Sequence, residues 1–439
     1  MTGKRGNLSL YLDVRKAHLA AKCTKDVYVE LPEEAGAAED ECGKLEYWLY
    51  GCRPAAQAWE EDYAGLLTSN TFKRLLSSPV VFQHAQKDLL RVVHGDDFIF
   101  VGIDDDLDYA LKLMQSKYEL KNRGRLGSGR SDAREVDMLG RKIKWNEWGL
   151  TWEADARHRK LAMQYFGMQE NTKALTKNGY KTRAEEGASE GGCTELGPEE
   201  KKAFRMLAAR LNYLAQDSPV IQFAAKEVCR KMSCPRDEDF VSLKRLVRFI
   251  VGIERVEWEY PWQDEECGTE LKVFVDSDWA GCCDSRRSTS GGILMLGRHP
   301  LRTWSSTQAV VATSSGEAEL YAIAEGASRG LGVQSAVKEM GIDNGSLEVR
   351  VIIAADSAAA IAFASTRGLG RMRHIEVKDL WIQSVVQSGR VNLVKVRGDK
   401  NPADVLTKYL DRAKCLGTLA LCGIRVVPVV EDDRAEGGC

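Results

Sequence analysis

Residues 270–281 read ELKVFVDSDWAG, a run in which β-branched and aromatic residues lead to Asp276. This run, closed by a turn signal at Gly281, predicts a β-strand. Two more strands are predicted at 291–298 (GGILMLGR) and 300–307 (PLRTWSST). A long helix, a strand, two helices, a strand and a last helix follow them in the sequence. This order predicts an α/β layer built on a mixed five-stranded sheet flanked by helices.

Four acidic residues stand out by their positions in these elements: Asp276 and Asp356 end two strands, Glu319 lies in the long helix, and Asp404 lies at the start of the last helix. If the two strands are neighbours, Asp276 and Asp356 emerge at one edge of the sheet, where α/β proteins place their sites. Clustered carboxylates repel one another unless divalent cations lie among them. Oxygen ligands favour Mg²⁺ first and Mn²⁺ second. Two such ions about 4 Å apart can activate a water and stabilise the leaving oxygen in phosphodiester hydrolysis.

Each of these carboxylates also has an ordinary structural explanation. An aspartate at a strand end is usually a turn former, and Asp404 could compensate the dipole of a helix. Glu317 and Glu319 are two positions apart and face different sides of the helix, so at least one of them is expected to be merely solvated. Spacing alone therefore does not separate a metal site from unrelated carboxylates.

The sequence motifs of this region favour a metal site over a set of unrelated carboxylates. DSDWAG (276–281), RRSTSGG (286–292), AADSAAAIA (354–362), RHIEVKDLWIQ (373–383) and NPADVLTK (401–408) resemble, in order, the ribonuclease H domain of copia-type retrotransposon polyproteins. The resemblance runs from about residue 272 to about residue 410. It implies that the metal-binding carboxylates are Asp276, Glu319, Asp356 and Asp404, and that the domain hydrolyses the RNA strand of RNA–DNA hybrids. The loop VRGDKNPAD (396–404) lacks the histidine that many ribonucleases H carry there.

The N-terminal region resembles the reverse transcriptase of the same family. YLDVRKAHL (11–19) resembles the first palm motif, and VVHGDDFIFVG (92–102) resembles the hairpin with the paired aspartates. Asp13, Asp96 and Asp97 are the implied metal ligands for nucleotidyl transfer. The region departs from the family pattern at His18, at His94-Gly95 and in the run CRPAA (52–56).

These similarities predict a domain organisation. Residues 1–160 are expected to form a palm-like region that lacks the fingers, and residues 161–265 a helical thumb or connection with a flexible loop at 169–198. Residues 268–412 are expected to form the ribonuclease H-like domain, and residues 413–439 a disordered tail. The fold class is thus α/β and α+β. Because the chain begins at the first palm strand, polymerisation by this chain alone is not expected.

Composition and residue spacing limit the kinds of binding site and the cellular location that can be expected. The 12 cysteines form no CxxC pair and the six histidines form no HxxxH pair, so neither a disulfide framework nor a zinc site is expected. No secretory signal and no membrane-spanning run is evident, so an intracellular protein of the cytoplasm or nucleus is expected. The net charge is −2, but residues 365–415 contain 11 Lys or Arg against 5 Asp or Glu. That excess is suited to contacts with a nucleic-acid backbone.

The sequence thus predicts a copia-like Pol fragment with a Mg²⁺-dependent ribonuclease H. Its expected partners are RNA–DNA hybrids, other nucleic acid and other Pol segments, with no membrane and no predicted oligomeric state. The alternative is a catalytically inactive nucleic-acid-binding remnant of a decayed retroelement. An integrase or transposase nuclease is a third reading, but it would not require the order Asp, Glu, Asp, Asp with NPAD before the last helix.

Overall fold

The computed structural model describes residues 8–38, 40–179, 194–263, 269–282, 284–341, 348–369, 374–376 and 380–428. The chain forms two compact units, which divide after Met138. Each unit has its own hydrophobic core. The domain limits expected from the sequence stay predictions.

The first unit is built on an antiparallel sheet. Its elements are β1 (Leu8–Val14), α1 (Ala17–Ala20), β2 (Tyr28–Glu30), β3 (Cys42–Lys44), α2 (Ala55–Ser69), β4 (Phe72–Arg74), β5 (Val81–His84), β6 (Leu90–His94), β7 (Asp97–Gly102), α3 (Asp104–Gln115), β8 (Leu120–Leu126) and β9 (Glu135–Met138). Six strands form one sheet in the order β4-β5-β6-β7-β1-β8, and β2 pairs with β3.

Aromatic packing holds the core of this unit together. Trp59 and Tyr63 of α2 pack edge-on against Phe98 of β7. Arg91 of β6 is fully buried, with its guanidinium carbon 4.1 Å from the Phe98 ring centre and 4.6 Å from that of Tyr63. Burial lowers the pKa of Arg91. The helix α2 is thereby fixed across the central strands, because one buried cation and three rings share a single layer.

The second unit contains more helices and two sheets. Its elements are β10 (Arg141–Asn146), β11 (Gly149–Glu153), α4 (Ala156–Tyr165), α5 (Pro198–Asp217), α6 (Gln222–Cys229), α7 (Asp237–Ile250), β12 (Arg255–Pro261), β13 (Glu270–Asp278), β14 (Thr289–Leu296), β15 (His299–Thr307), α8 (Ser315–Glu339), β16 (Arg350–Ala355), α9 (Ala358–Ser365), α10 (Trp381–Gln387), β17 (Val391–Lys395), α11 (Arg412–Ala420) and β18 (Ile424–Val427). Short 3-10 helices lie at Pro219–Ile221, Gly398–Lys400 and Pro402–Leu406. Antiparallel pairing joins β10, β11, β12 and β18 in that order.

The other sheet of this unit has the order β15-β14-β13-β16-β17. The first three strands are antiparallel to one another, whereas β16 runs parallel to both β13 and β17. This is the mixed five-stranded sheet that the sequence predicts, and it has the arrangement of a ribonuclease H-like domain. The expected fold class is therefore confirmed.

Glycines let the long helix α8 lie close to this sheet. A Cβ atom on Gly326 would lie 2.5 Å from a methyl carbon of Val275, and one on Gly330 would lie 2.8 Å from a methyl carbon of Val351. The N-terminus of α8 has the predicted cap, in which the Ser314 hydroxyl accepts a hydrogen bond from the Glu317 amide at 3.2 Å. The close approach and the cap together fix the first turns of α8 at the edge of the sheet.

Two expectations about the C-terminus need correction. The last helix expected over 401–410 is only a 3-10 helix, Pro402–Leu406, and a separate helix α11 follows it. The tail expected to be disordered from residue 413 is folded through β18, because Cys415, Leu419 and Ile424 are buried in the same core as Trp258. The part of that tail after residue 428, like the part of the expected loop at 180–193, lies outside the described residues. Among the helices that the structure describes, none has the length and apolarity required to cross a bilayer.

Candidate metal centre

Two neighbouring parallel strands place Asp276 and Asp356 together. Phe274 of β13 lies opposite Ala354 of β16, so the chain reaches Asp276 and Asp356 at the same distance along both strands. The two side chains therefore leave the sheet at one edge, as the sequence predicts. Neither position depends on a flexible connection, since Asp276 lies within β13 and Asp356 directly follows β16.

Helix α8 adds a third carboxylate to this edge. Glu319 lies in its second turn, and ligand oxygens of Asp276, Glu319 and Asp356 all lie within 4.8 Å of one another. These three residues are the one group with such geometry in the part of the chain that the structure describes. Asp276 is 1% exposed and Glu319 is 8% exposed, so the cluster is largely removed from water.

Burial and mutual repulsion both favour protonation of this cluster. Burial raises the pKa of Glu319 to about 8, with further contributions from Asp276 and Asp356. Burial likewise raises the pKa of Asp276 to about 6, although Lys408 and Thr407 oppose the shift. Negative charge is thus costly here unless a cation compensates it.

One oxygen of Glu319 is available to a ligand. Oε1 accepts a hydrogen bond from the Ser277 amide at 3.2 Å, whereas Oε2 is buried and has no hydrogen-bond partner among the described residues. An unpaired buried carboxylate oxygen carries the full desolvation cost of that atom. A hard divalent cation bound by oxygen ligands would remove this cost, so the donor set fits Mg²⁺ or Mn²⁺.

The fourth predicted carboxylate, Asp404, lies beside this group and is paired with lysines. Lys408 Nζ lies 2.9 Å from Asp404 Oδ1 and 3.2 Å from Asp276 Oδ2. Lys414 Nζ lies 3.9 Å from the other oxygen of Asp404. The Thr407 hydroxyl donates a hydrogen bond to Asp276. Asp404 and Asp276 therefore share one cation of the chain itself.

The N-terminal aspartates have a different arrangement. Asp13 of β1 and Asp97 of β7 are direct cross-strand partners. Between them lies Arg123 of β8, whose Nη2 is 2.7 Å from Asp13 Oδ2 and 3.2 Å from Asp97 Oδ1. Burial raises the pKa of Asp97, and Arg123 opposes that rise. The carboxylates that the sequence predicts for a polymerase metal are thus neutralised by a guanidinium.

Asp96 does not complete that group. It is exposed, and its carbonyl oxygen accepts a hydrogen bond from the Val14 amide at 2.9 Å. The turn before it is fixed by Gly95, whose φ is +65° and whose carbonyl accepts a hydrogen bond from Trp59 Nε1 at 2.9 Å. The Arg123 guanidinium therefore contacts both of the other carboxylates, where it compensates part of their negative charge.

The expectation that Glu317 or Glu319 is merely solvated is wrong. Glu317 is 2% exposed, and its carboxylate accepts hydrogen bonds from the Thr313 amide and the Tyr321 hydroxyl. His374 Nε2 lies 2.8 Å from Glu317 Oε2. These contacts lower the pKa of Glu317 despite its burial. The carboxylate of Glu317 thus holds His374 beside the start of α8.

Sequence reasoning missed the two cations beside the aspartates. Lys408 stands in the NPADVLTK motif at four positions from Asp404, a spacing that places two side chains together on a helical turn. The contact between Lys408 and Asp404 could therefore have been predicted from this spacing. Arg123 offers no comparable signal, because its contact with Asp13 depends on the pairing of β1 with β8.

Comparisons with known proteins agree with the sequence motifs. The chain is 26% identical over 424 residues to the retrovirus-related Pol polyprotein from transposon RE1 of Arabidopsis thaliana, which covers 95% of this chain. It is 25% identical over 412 residues to the corresponding polyprotein from transposon TNT 1-94 of Nicotiana tabacum, which covers 92% of this chain. Over most of its length this chain is thus similar to retrovirus-related Pol polyproteins of plant copia-type transposons. It spans 27% and 30% of the lengths of those two relatives.

Two further comparisons add less information about this chain. A scan against models of protein families found no match. Among solved structures, an LC11 ribonuclease H1 in complex with an RNA/DNA hybrid aligns with 31% of this chain and 93% of its own, at 13% identity and a TM-score of 0.22. The fold assignment rests on strand order and direction within the sheet β13–β17.

Proposed function

We propose that the domain built on β13–β17 hydrolyses the RNA strand of RNA–DNA hybrids with the help of Mg²⁺. The observation that carries this proposal is the meeting of Asp276, Glu319 and Asp356 within 4.8 Å, buried at the edge of a ribonuclease H-like sheet. When bound there, Mg²⁺ would activate a water and stabilise the leaving oxygen of a phosphodiester. Asp404 is proposed as a fourth ligand.

The surrounding residues hold the proposed ligands in place. The Ser277 amide fixes one oxygen of Glu319, and the Thr407 hydroxyl fixes one oxygen of Asp276. The Ser277 contact leaves Oε2 of Glu319 for a ligand, whereas Oδ1 of Asp276 accepts a hydrogen bond from Lys408 at 3.4 Å. Positioning of this kind matters because a metal centre tolerates little displacement of its ligands.

Lys408 is proposed to act as a movable counter-charge. Its ammonium neutralises Asp276 and Asp404, yet its side chain is 42% exposed and can turn towards solvent. Once a metal supplies the positive charge, this ammonium becomes available to a phosphate of the substrate. The same residue thus stabilises the metal-free protein and contacts the bound nucleic acid.

The basic stretch at 365–415 is proposed to hold the hybrid backbone. Lys395, Arg397 and Lys400 are exposed on β17 and on the connection to Asp404. Lysine and arginine contacts to phosphates give affinity that is independent of sequence and sensitive to salt. A hybrid would be distinguished by its shape and its 2′-hydroxyls. Segments of a longer Pol polyprotein are proposed as further partners.

For the N-terminal unit a non-catalytic role is favoured by a specific observation. Arg123 lies 2.7 Å from Asp13 and 3.2 Å from Asp97, so a guanidinium of the chain already compensates part of the charge of both aspartates. We therefore propose that this unit contributes nucleic-acid binding without nucleotidyl transfer.

The test of this function compares three substrates of one sequence. The full chain is incubated with end-labelled RNA as a single strand, in an RNA–DNA hybrid and in an RNA duplex, with Mg²⁺ or with EDTA. We expect internal cleavage of the hybrid only, and only with Mg²⁺. Absence of Mg²⁺-dependent cleavage would favour the inactive nucleic-acid-binding remnant, and equal cleavage of all three substrates would contradict a hybrid nuclease.

A further inference from the structure

A second candidate site lies in the second unit, apart from the carboxylates. It is a cavity of about 640 Å³ between β15 with α8 on one side and residues of β11, β12 and α5 on the other. Ligand pockets generally occupy about 300–1,000 Å³. None of the described residues that line it belongs to the proposed metal centre. The cavity is therefore large enough for an organic ligand and is not part of the site already assigned.

Several polar atoms in its wall have no hydrogen-bond partner among the described residues. They are Thr303 Oγ1, Trp304 Nε1, Ser305 Oγ and Gln222 Oε1, and all four are buried. Thr303 and Trp304 are only 7% and 5% exposed. Buried polar atoms without partners are rare in folded proteins, because each one loses the hydrogen bonds that it makes to water in the unfolded chain. Their gathering in one wall indicates a ligand with both donors and acceptors, since Trp304 Nε1 only donates and Gln222 Oε1 only accepts.

The cavity has one spare positive charge. Asp217 is paired with Arg141 at 2.8 Å, and Arg329 is paired with Glu325 at 2.7 Å. Arg302 has no ion-pair or hydrogen-bond partner among the residues that the structure describes. Burial lowers the pKa of Arg302 and repulsion from Arg329 adds to this shift, whereas attraction to Glu325 opposes it. An acidic group of the ligand at Arg302 would relieve this repulsion and form a charge-assisted hydrogen bond.

Four aromatic residues also line the cavity. Trp152, Trp258 and Tyr260 line the cavity together with Trp304. Aromatic side chains stack on planar rings of any identity, and nucleic-acid bases are the usual partners of such rings beside an arginine. A small inorganic anion would leave this aromatic surface and most of the volume empty. A purely apolar ligand would leave Arg302 and the buried polar atoms unpaired.

We propose that this cavity binds a nucleotide, with the base against the aromatic wall and the phosphate at Arg302. The nucleotide could belong to a single nucleic-acid strand or be a free nucleoside monophosphate, because both offer the same base and phosphate. Only binding is involved, and no bond is formed or broken. The proposal does not depend on hydrolysis at Asp276, so the two can fail separately.

The test uses the full chain in EDTA, so that no metal contributes to binding. Two probes are titrated: dTMP, by calorimetry, and a fluorescently labelled oligothymidylate, by anisotropy. Arg302→Ala is expected to weaken binding of the responding probe about tenfold or more, as for loss of a charge-assisted hydrogen bond. Thr303→Val, which keeps the shape of the side chain, is expected to weaken it by a smaller factor. Arg350→Ala is the matched control, because Arg350 is an exposed arginine of the same unit outside the cavity wall.

A spectroscopic readout locates the ligand. In ¹⁵N-labelled protein, the indole resonance that disappears in Trp304→Phe is assigned to Trp304, and it should shift when the probe is added. A shift with dTMP identifies a free nucleotide as a sufficient ligand, and a shift with the oligonucleotide alone identifies a strand segment. The proposal is overturned if neither probe shifts this resonance, or if Arg302→Ala binds both probes as tightly as Arg350→Ala does.

Discussion

Among the described residues, one carboxylate oxygen of Glu319 has a hydrogen-bond partner and the other has none. The Ser277 amide donates to Oε1, and Oε2 is buried in a residue that clusters with Asp276 and Asp356. A carboxylate in this position has two ways to lower its free energy. It can take up a proton, as its raised pKa indicates, or it can bind a cation.

The protonation of Glu319 predicts a dependence of stability on pH. Its pKa is raised from 4.5 to about 8 in the folded state, so the folded protein binds this proton more tightly than the unfolded chain does. In EDTA, the contribution to stability is therefore complete below pH 4.5 and is lost as the pH rises through about 8. Over this range the Tm of the wild-type protein should fall by roughly 5 °C more than that of Glu319→Gln, measured by thermal denaturation.

The control for this experiment is Glu348→Gln, which removes an exposed carboxylate of the same unit. Its pH dependence should follow that of the wild-type protein. Addition of Mg²⁺ at pH 8 should raise the Tm of the wild-type protein but not that of Glu319→Gln. Parallel curves for wild-type and Glu319→Gln proteins would show that Glu319 is not protonated in the metal-free fold.

At the scale of elements, strand pairing decides the chemistry of the N-terminal aspartates. Because β1 lies between β7 and β8, it brings Asp13 beside both Asp97 and Arg123. The alternation of residues within each strand can be predicted from the sequence, but the neighbour of each strand cannot. The three aspartates could therefore be named from the motifs. Arg123, which contacts Asp13 and Asp97, could not.

Removal of this arginine should restore affinity for a divalent cation. In a background of Asp276→Asn and Glu319→Gln, Arg123→Met is expected to raise Mg²⁺ affinity about tenfold by calorimetry, because it removes a positive charge in contact with two carboxylates. Arg125→Met is the matched control, since Arg125 lies in the same strand and pairs with Asp104 and Asp108 instead. Equal Mg²⁺ affinity in the two variants would mean that Arg123 does not occupy the metal position.

The C-terminal elements illustrate a second limit of sequence reasoning. The residues after 412 show little periodicity, yet Ile424 is 2% exposed and β18 pairs with β12 along four residues, Ile424–Val427. A short strand added to the edge of an existing sheet needs few apolar residues, because its partner supplies most of the core.

The segment before α11 also differs from the expected helix, because Pro402 begins a 3-10 helix that ends at Leu406. Thr407, the next residue, makes the buried hydrogen bond to Asp276.

Truncation of a buried side chain in β18 tests its contribution. Ile424→Ala is expected to lower the free energy of unfolding by about 2–4 kcal/mol, in the range of buried aliphatic truncations. Arg425→Ala, one residue further along and 56% exposed, should change it by less than about 1 kcal/mol. Chemical denaturation of both variants gives the comparison. Equal, small effects would indicate that β18 is not part of the folded unit in solution.

At the scale of the whole molecule, the family motifs carried the prediction furthest. They implied the four carboxylates, while the sequence pattern predicted the order of elements along the chain. That Asp276 and Asp356 share an edge depended on their strands being neighbours, as the pairing of β13 with β16 shows. The motifs did not give the cavity beside β15, since its wall combines residues from distant parts of the chain. They also did not reveal that a lysine shared by Asp276 and Asp404 accompanies the metal-free cluster.

The most direct test of the central claim is single-turnover cleavage of an RNA–DNA hybrid with Mg²⁺ by three proteins: wild type, Asp276→Asn and Glu348→Gln. Glu348 is an exposed carboxylate paired with Lys338, so its replacement leaves the buried cluster intact. We expect Glu348→Gln to cleave at the wild-type rate and Asp276→Asn to be slower by about a hundredfold or more, since a metal ligand supports several kcal/mol of transition-state stabilisation. Cleavage by Asp276→Asn at the wild-type rate, or no Mg²⁺-dependent cleavage by the wild-type protein, would contradict a metal-dependent nuclease centre at Asp276, Glu319 and Asp356.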